Sequence, residues 1–146
     1  MSDALKESIR NVSSLLGYVP NWCNSEISEF LSLLNHPSVL FERSISQGTI
    51  IFQGINLTVF AVLWEWVLVR KMKRLQLEGQ RPRAEDWNDC IAILYYLTTN
   101  LRQSIKRKDL RQFDDTEREP PVFEGTIDTL NNLYKTQIGS EFDAIT

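Results

Sequence analysis

Two acidic pairs at helical spacing, Glu26-x-x-Glu29 and Asp86-x-x-Asp89, are the first residues whose types could carry chemistry. Acids three apart share one face of a helix. Two such pairs on facing helices could hold Mg²⁺ through oxygen ligands for phosphate chemistry. The pairs stand 60 residues apart and neither lies in a denser acidic motif. Acids in the first turn of a helix also complement its dipole without any metal. A Mg-dependent all-α phosphohydrolase is therefore kept only as a second alternative.

Cys23 and His36, the one histidine of the chain, could form a nucleophile–base dyad. No small-residue elbow surrounds Cys23, and His36 directly precedes Pro37. Cys90 falls on an apolar stripe and reads as inert core. The six glycines are scattered singly, so no phosphate-cradling loop is written. The expectation is a chain with no catalytic residue, no metal site and no cofactor.

The basic residues offer a different chemistry. Residues 70–111 carry eleven of them (Arg70, Lys71, Lys73, Arg74, Arg81, Arg83, Arg102, Lys106, Arg107, Lys108, Arg111) against five acids. Residues 1–69 and 112–146 are acidic, with net charges of −3 and −6. If helices over 57–77 and 83–108 form an antiparallel hairpin, the cations fall into two patches about 34 Å apart. One holds Arg70–Arg74 with Arg81 and Arg83, the other Lys106, Arg107, Lys108 and Arg111. Such patches could neutralise nucleic-acid phosphates. Against that stand the overall charge of −3 and the attraction of any helix C-terminus for cations. A nucleic-acid-contacting subunit is the first alternative.

The elements that must position these groups read as helices. Leu5, Ile9, Val12 and Leu16 recur at helical spacing before Gly17, and Tyr18–Asn24 reads as a loop. Ser25 can cap a helix carrying Ile27, Phe30, Leu31 and Leu34, which Pro37 ends, with a short helix over 38–45. Thr49–Asn56 is rich in β-branched residues and leaves helix or strand open, while 57–77 reads as helix. Trp87, Cys90, Leu94, Leu97, Leu101 and Ile105 sustain a 3–4 spacing across 83–108. Residues 109–122 form an acidic, proline-stopped connector, and a last helix spans 124–138 with Gly139 as its stop. Residues 140–146 are expected to fray.

Between Ile50 and Val69 the only charge is Glu65. That length could span a bilayer, but Gln53, Gly54, Asn56 and Thr58 interrupt it, and a buried central helix is the better reading. On a helical wheel Ile51, Ile55, Val62, Trp66 and Val69 form one stripe, with Phe60, Trp64 and Val67 nearly opposite. A second apolar face enriched in aromatics suits a protein partner or a second copy of the chain.

The 146 residues are enough for a single domain with its own core. Two cysteines far apart, and an N-terminus with acidic residues where a signal peptide is basic, point to the cytoplasm or another reducing compartment. The sequence thus predicts an all-α fold, a compact bundle of five to six helices around a long hydrophobic helix. Its expected function is that of a non-catalytic subunit or adaptor anchored through Phe60, Trp64 and Val67.

Overall fold

The computed structural model describes residues 3–17, 37–76, 84–114 and 120–146. The chain divides into two compact units, Met1–Phe41 and Glu42–Thr146. The described residues are mostly helical, with one small two-stranded sheet. The elements run α1 (Asp3–Leu16), α2 (Pro37–Gln47), β1 (Ile50–Gln53), β2 (Thr58–Phe60), α3 (Trp64–Leu75), α4 (Ala84–Leu101), α5 (Arg107–Arg111) and α6 (Glu124–Ile138).

In the first unit, α1 ends where expected, at Gly17 with φ of 70°. Pro37 opens α2, as suits a residue with fixed φ and no N–H. The expected loop over 18–24 and the helix over 25–34 lie outside the described residues.

In the second unit the ambiguous stretch resolves into a hairpin. Ile50 pairs with Phe60, Phe52 with Val59 and Gln53 with Thr58, with a bulge at Ile51. Gly54 donates to the Leu57 carbonyl at 2.8 Å and closes the turn. The helix expected over 57–77 is therefore corrected: it begins at Trp64, and Phe60 lies on a strand. Local pattern did not set that start. Ser44 Oγ accepts the Leu63 N–H at 3.0 Å and Gln47 Oε1 accepts the Trp64 N–H at 2.9 Å. The end of α2 thus satisfies backbone donors that open α3.

Helices α3 and α4 are antiparallel neighbours. Trp64 meets Tyr96, Lys71 meets Asp89 and Arg74 meets Asp86 along their length. α6 packs on both, and Leu68, Met72, Leu94 and Leu130 are almost wholly buried among them. Thr98 Oγ1 and Tyr134 Oη share a hydrogen bond of 2.8 Å between α4 and α6. Ile127, Leu130 and Tyr134 lie in the core as their spacing requires, whereas Ile138 is exposed. Gly139, at φ 73°, closes α6 in the left-handed conformation that favours glycine.

Two further expectations are corrected. The helix expected over 83–108 stops at Leu101: Arg102 takes a φ of 53° and turns the chain. Ile105 then pairs with Ile145 in a parallel bridge, and α5 packs against α3. The chain's end does not fray. Ile105 donates to Ala144 O and Thr146 to Ile105 O, and Ala144 and Ile145 are buried. Backbone pairing and burial outweigh the freedom of a short tail.

Candidate functional site

The three residues expected to act as apolar anchors part company in the structure. Trp64 and Val67 lie one turn apart on α3, both half-buried, and line a groove of about 400 Å³ against α4. Ala92, Ile93 and Tyr96 form its other wall. The Trp64 and Tyr96 rings meet edge to face, with centroids 5.9 Å apart, a favoured arrangement of ring quadrupoles. Lys71 and Asp89 close one end of the groove with an ion pair of 2.7 Å. Phe60 is half-buried on β2 and is not part of the groove wall. Tyr96 was missed in the sequence because it lies off the apolar stripe of α4. Its hydroxyl also meets Thr49 Oγ1 at 3.2 Å, at the base of the hairpin.

The hairpin itself is a second apolar surface. Ile50, Ile51, Phe52, Leu57 and Val59 are exposed, and Ile55 at the turn is fully so. Residues 44–64 contain no charged side chain. Exposed edge strands normally carry lysines, prolines or inward charges that prevent pairing. Here the hairpin has none of these, only the bulge at Ile51 and the shortness of its strands. The signal was present in the β-branched run and in the Gly54-Ile-Asn56 turn. A helical wheel over the same residues spread those side chains around a helix that does not form.

No family model, no curated protein and no solved structure matches this chain.

Four of the basic residues, Lys71, Lys73, Arg74 and Arg107, are engaged by carboxylates within the chain. Lys71 bonds Asp89 and reaches Asp86 at 3.4 Å, while Arg74 Nε meets Asp86 at 3.2 Å. Burial lowers the Lys71 pKa, but hydrogen bonds and charge from Asp89 and then Asp86 outweigh that and leave it raised. Lys73 is buried and meets half-buried Asp114 at 2.7 Å, an ion contact rather than a well-aligned hydrogen bond. Arg107 contacts Glu124 and lies 3.7 Å from Asp128. Lys106, Lys108 and Arg111 are exposed on or beside α5, and Arg70 is half-buried. Arg81 and Arg83 lie outside the described residues. Because the chain turns at Arg102, the second patch returns towards α3 instead of lying a full helix length away.

Beside α5 opens a second cavity of about 590 Å³, floored by Val69, Met72, Leu110 and Ile127 with Arg107 and Arg111 at its margin. The acidic pair Asp86/Asp89 is neutralised by Lys71 and Arg74 rather than held open for a cation. Glu26, Glu29, Cys23 and His36 lie outside the described residues. Among the described residues no three His, Cys, Asp or Glu side chains cluster to hold a metal. Also among them, no helix is long and apolar enough to cross a membrane. Cys90 is fully buried, and burial pushes its thiol pKa up to about 12.

Proposed function

We propose that this chain is a non-catalytic helical subunit or adaptor, a small bundle that binds another protein. Its binding surface is the apolar hairpin together with the adjoining groove of Trp64, Val67 and Tyr96, and Phe60 on β2 belongs to the hairpin side of that surface. The observation that carries this reading is the exposure of Ile51, Phe52, Ile55 and Leu57 on a segment with no charge. A contiguous exposed apolar patch rimmed by polar residues marks interaction surfaces, and its aromatic anchors are the residue types enriched in interface cores. The rim is at hand in the Lys71–Asp89 pair.

The nucleic-acid alternative keeps less support, since Lys71, Lys73, Arg74 and Arg107 already face carboxylates. The Mg²⁺ alternative would need Asp86 and Asp89 to release Lys71 and Arg74.

A photoreactive residue placed at Tyr96, at Ile55 or at Lys108 of the tagged full chain tests the reading in cells of its source. Protein adducts are expected from Tyr96 and Ile55, and Trp64→Glu should abolish those at Tyr96. Nucleic-acid adducts from Lys108, with no protein adduct from the apolar positions, would overturn it.

A further inference from the structure

We infer that the hairpin pairs with the hairpin of a second copy of this chain, strand β2 against strand β2, about a two-fold axis at Val59. The inference rests on the reading of the hairpin as a partner-binding surface and names its occupant.

The hydrogen-bond pattern identifies the open edge. In an antiparallel pair, successive residues direct their N–H and C=O groups alternately towards and away from the partner strand. Gly54 N–H bonds Leu57 O, and Ala61 N–H bonds Thr49 O, so Leu57, Val59 and Ala61 face β1. Thr58 and Phe60 therefore direct their backbone groups outward. Neither is bonded to another element among the described residues. The other strand, β1, is bent by the bulge at Ile51, which discourages pairing along its edge.

That edge is its own complement. When two β2 strands run antiparallel with Val59 facing Val59, Thr58 of each copy stands opposite Phe60 of the other. Each of these two pairs can exchange two hydrogen bonds, and the Val59 pair between them is the close, non-hydrogen-bonded kind. An isologous two-fold contact demands this self-complementarity.

The side chains agree with the backbone. Phe52 is the cross-strand partner of Val59, and both are exposed. Pairing about Val59 extends them into one apolar row, Phe52–Val59 of one copy continuing into Val59–Phe52 of the other. Cross-strand aromatic and β-branched neighbours are a favourable unit of sheet stabilisation. Each copy carries a net charge of −3, yet no charged residue lies between Arg43 and Glu65. The copies can therefore meet there without apposed like charges. A two-stranded hairpin is marginal in water, whereas three or more strands with an apolar face are stable; pairing turns two strands into four. The contact is small, which places it among weak, reversible associations.

Sedimentation velocity of the full chain, from low micromolar to several hundred micromolar, should show a monomer–dimer equilibrium. Val59→Lys places two ammonium groups face to face and should raise the dissociation constant at least about fivefold. Its far-ultraviolet circular dichroism should match that of the parent chain, since position 59 is exposed. The positive test is Val59→Cys on a Cys23→Ser background. A facing pair at about 4.5 Å between Cα atoms suits a disulfide, and mild oxidation should trap the dimer. Ile55→Cys should not be trapped, because the two turns point in opposite directions. A monomer at every concentration, or trapping through Ile55 and not Val59, overturns the inference. If Ile55 of that monomer still photocrosslinks a different protein, partner binding by the hairpin stands and only its occupant was misassigned. If neither occurs, both readings fall.

Discussion

Asn131 and Ile145 hold each other through two hydrogen bonds. The amide Nδ2 donates to Ile145 O at 2.9 Å, and Oδ1 accepts the Ile145 N–H at 3.0 Å. One side chain on α6 thus mimics a neighbouring strand, while Ile105 pairs with Ile145 on the backbone. Both residues are buried. Asn131→Ala leaves a buried donor and a buried acceptor without partners and should cost about 2–4 kcal/mol. Urea denaturation checks this, and a stability near that of the parent chain would show that the tail is held by its apolar contacts alone.

A second expectation concerns the ion pair of Lys73 and Asp114, separated by 41 residues in sequence, with only 5% and 9% of their side chains exposed. Removing one partner leaves the other charge buried, which typically costs about 3–5 kcal/mol. Lys73→Met should therefore destabilise strongly, and Asp114→Asn added to it should restore part of the loss. A double-mutant cycle from denaturation midpoints gives the coupling. Additive effects would show that the two charges are stabilised independently.

The difference between what the sequence displayed and what it concealed follows from where each determinant lies. Cys90, Leu94 and Leu97 on α4, and Ile127, Leu130 and Tyr134 on α6, recur at helical spacing and are buried as that spacing implies. Gly139 marks its stop within the same local stretch. The beginning of α3 is decided elsewhere, by Ser44 and Gln47 on a preceding helix. No periodicity within 50–69 could announce it, because the groups that bond the Leu63 and Trp64 N–H lie outside that stretch. Trp64 and Val67 shared a face on the wheel because they are truly helical; Phe60 was assigned to that face through a helix that begins four residues later. The cations at 71, 73, 74 and 107 looked free because their carboxylates come from α4, α6 and the chain after α5.

Those pairings lead to a third expectation. Labelled single- and double-stranded oligonucleotides, titrated at low salt, should show no anisotropy change at micromolar protein. Phosphate contacts require cations that can exchange counterions for DNA, and Lys71, Lys73, Arg74 and Arg107 already face carboxylates. Tight binding that weakens steeply with added salt, and that Lys108→Glu and Arg111→Glu abolish, would return the nucleic-acid reading to first place.

The last expectation is alkaline. Burial raises the Cys90 thiol to about 12, with smaller upward contributions from Asp86 and Asp89 set against Lys71. An unfolded thiol titrates at about 8.5. Between those values the folded chain keeps a proton that the unfolded chain has lost. Stability should therefore be fully present below the unfolded pKa and decline as pH rises, by up to about 1.4 kcal/mol per pH unit for one such group. Lys71, raised by Asp89 and Asp86, acts in the same direction above its ordinary value of 10.5. Cys90→Ala removes only the first contribution. That variant should be less stable than the parent at neutral pH because it leaves a cavity, yet lose less stability between pH 9 and 10. Denaturation midpoints at the two pH values decide the matter. In a Cys23→Ser background, Cys90 should also react with a thiol reagent no faster than the chain unfolds, because the thiolate forms only once α4 leaves the core. Rapid labelling of the folded chain would mean that α4 opens locally, and would break the link between the thiol and global stability.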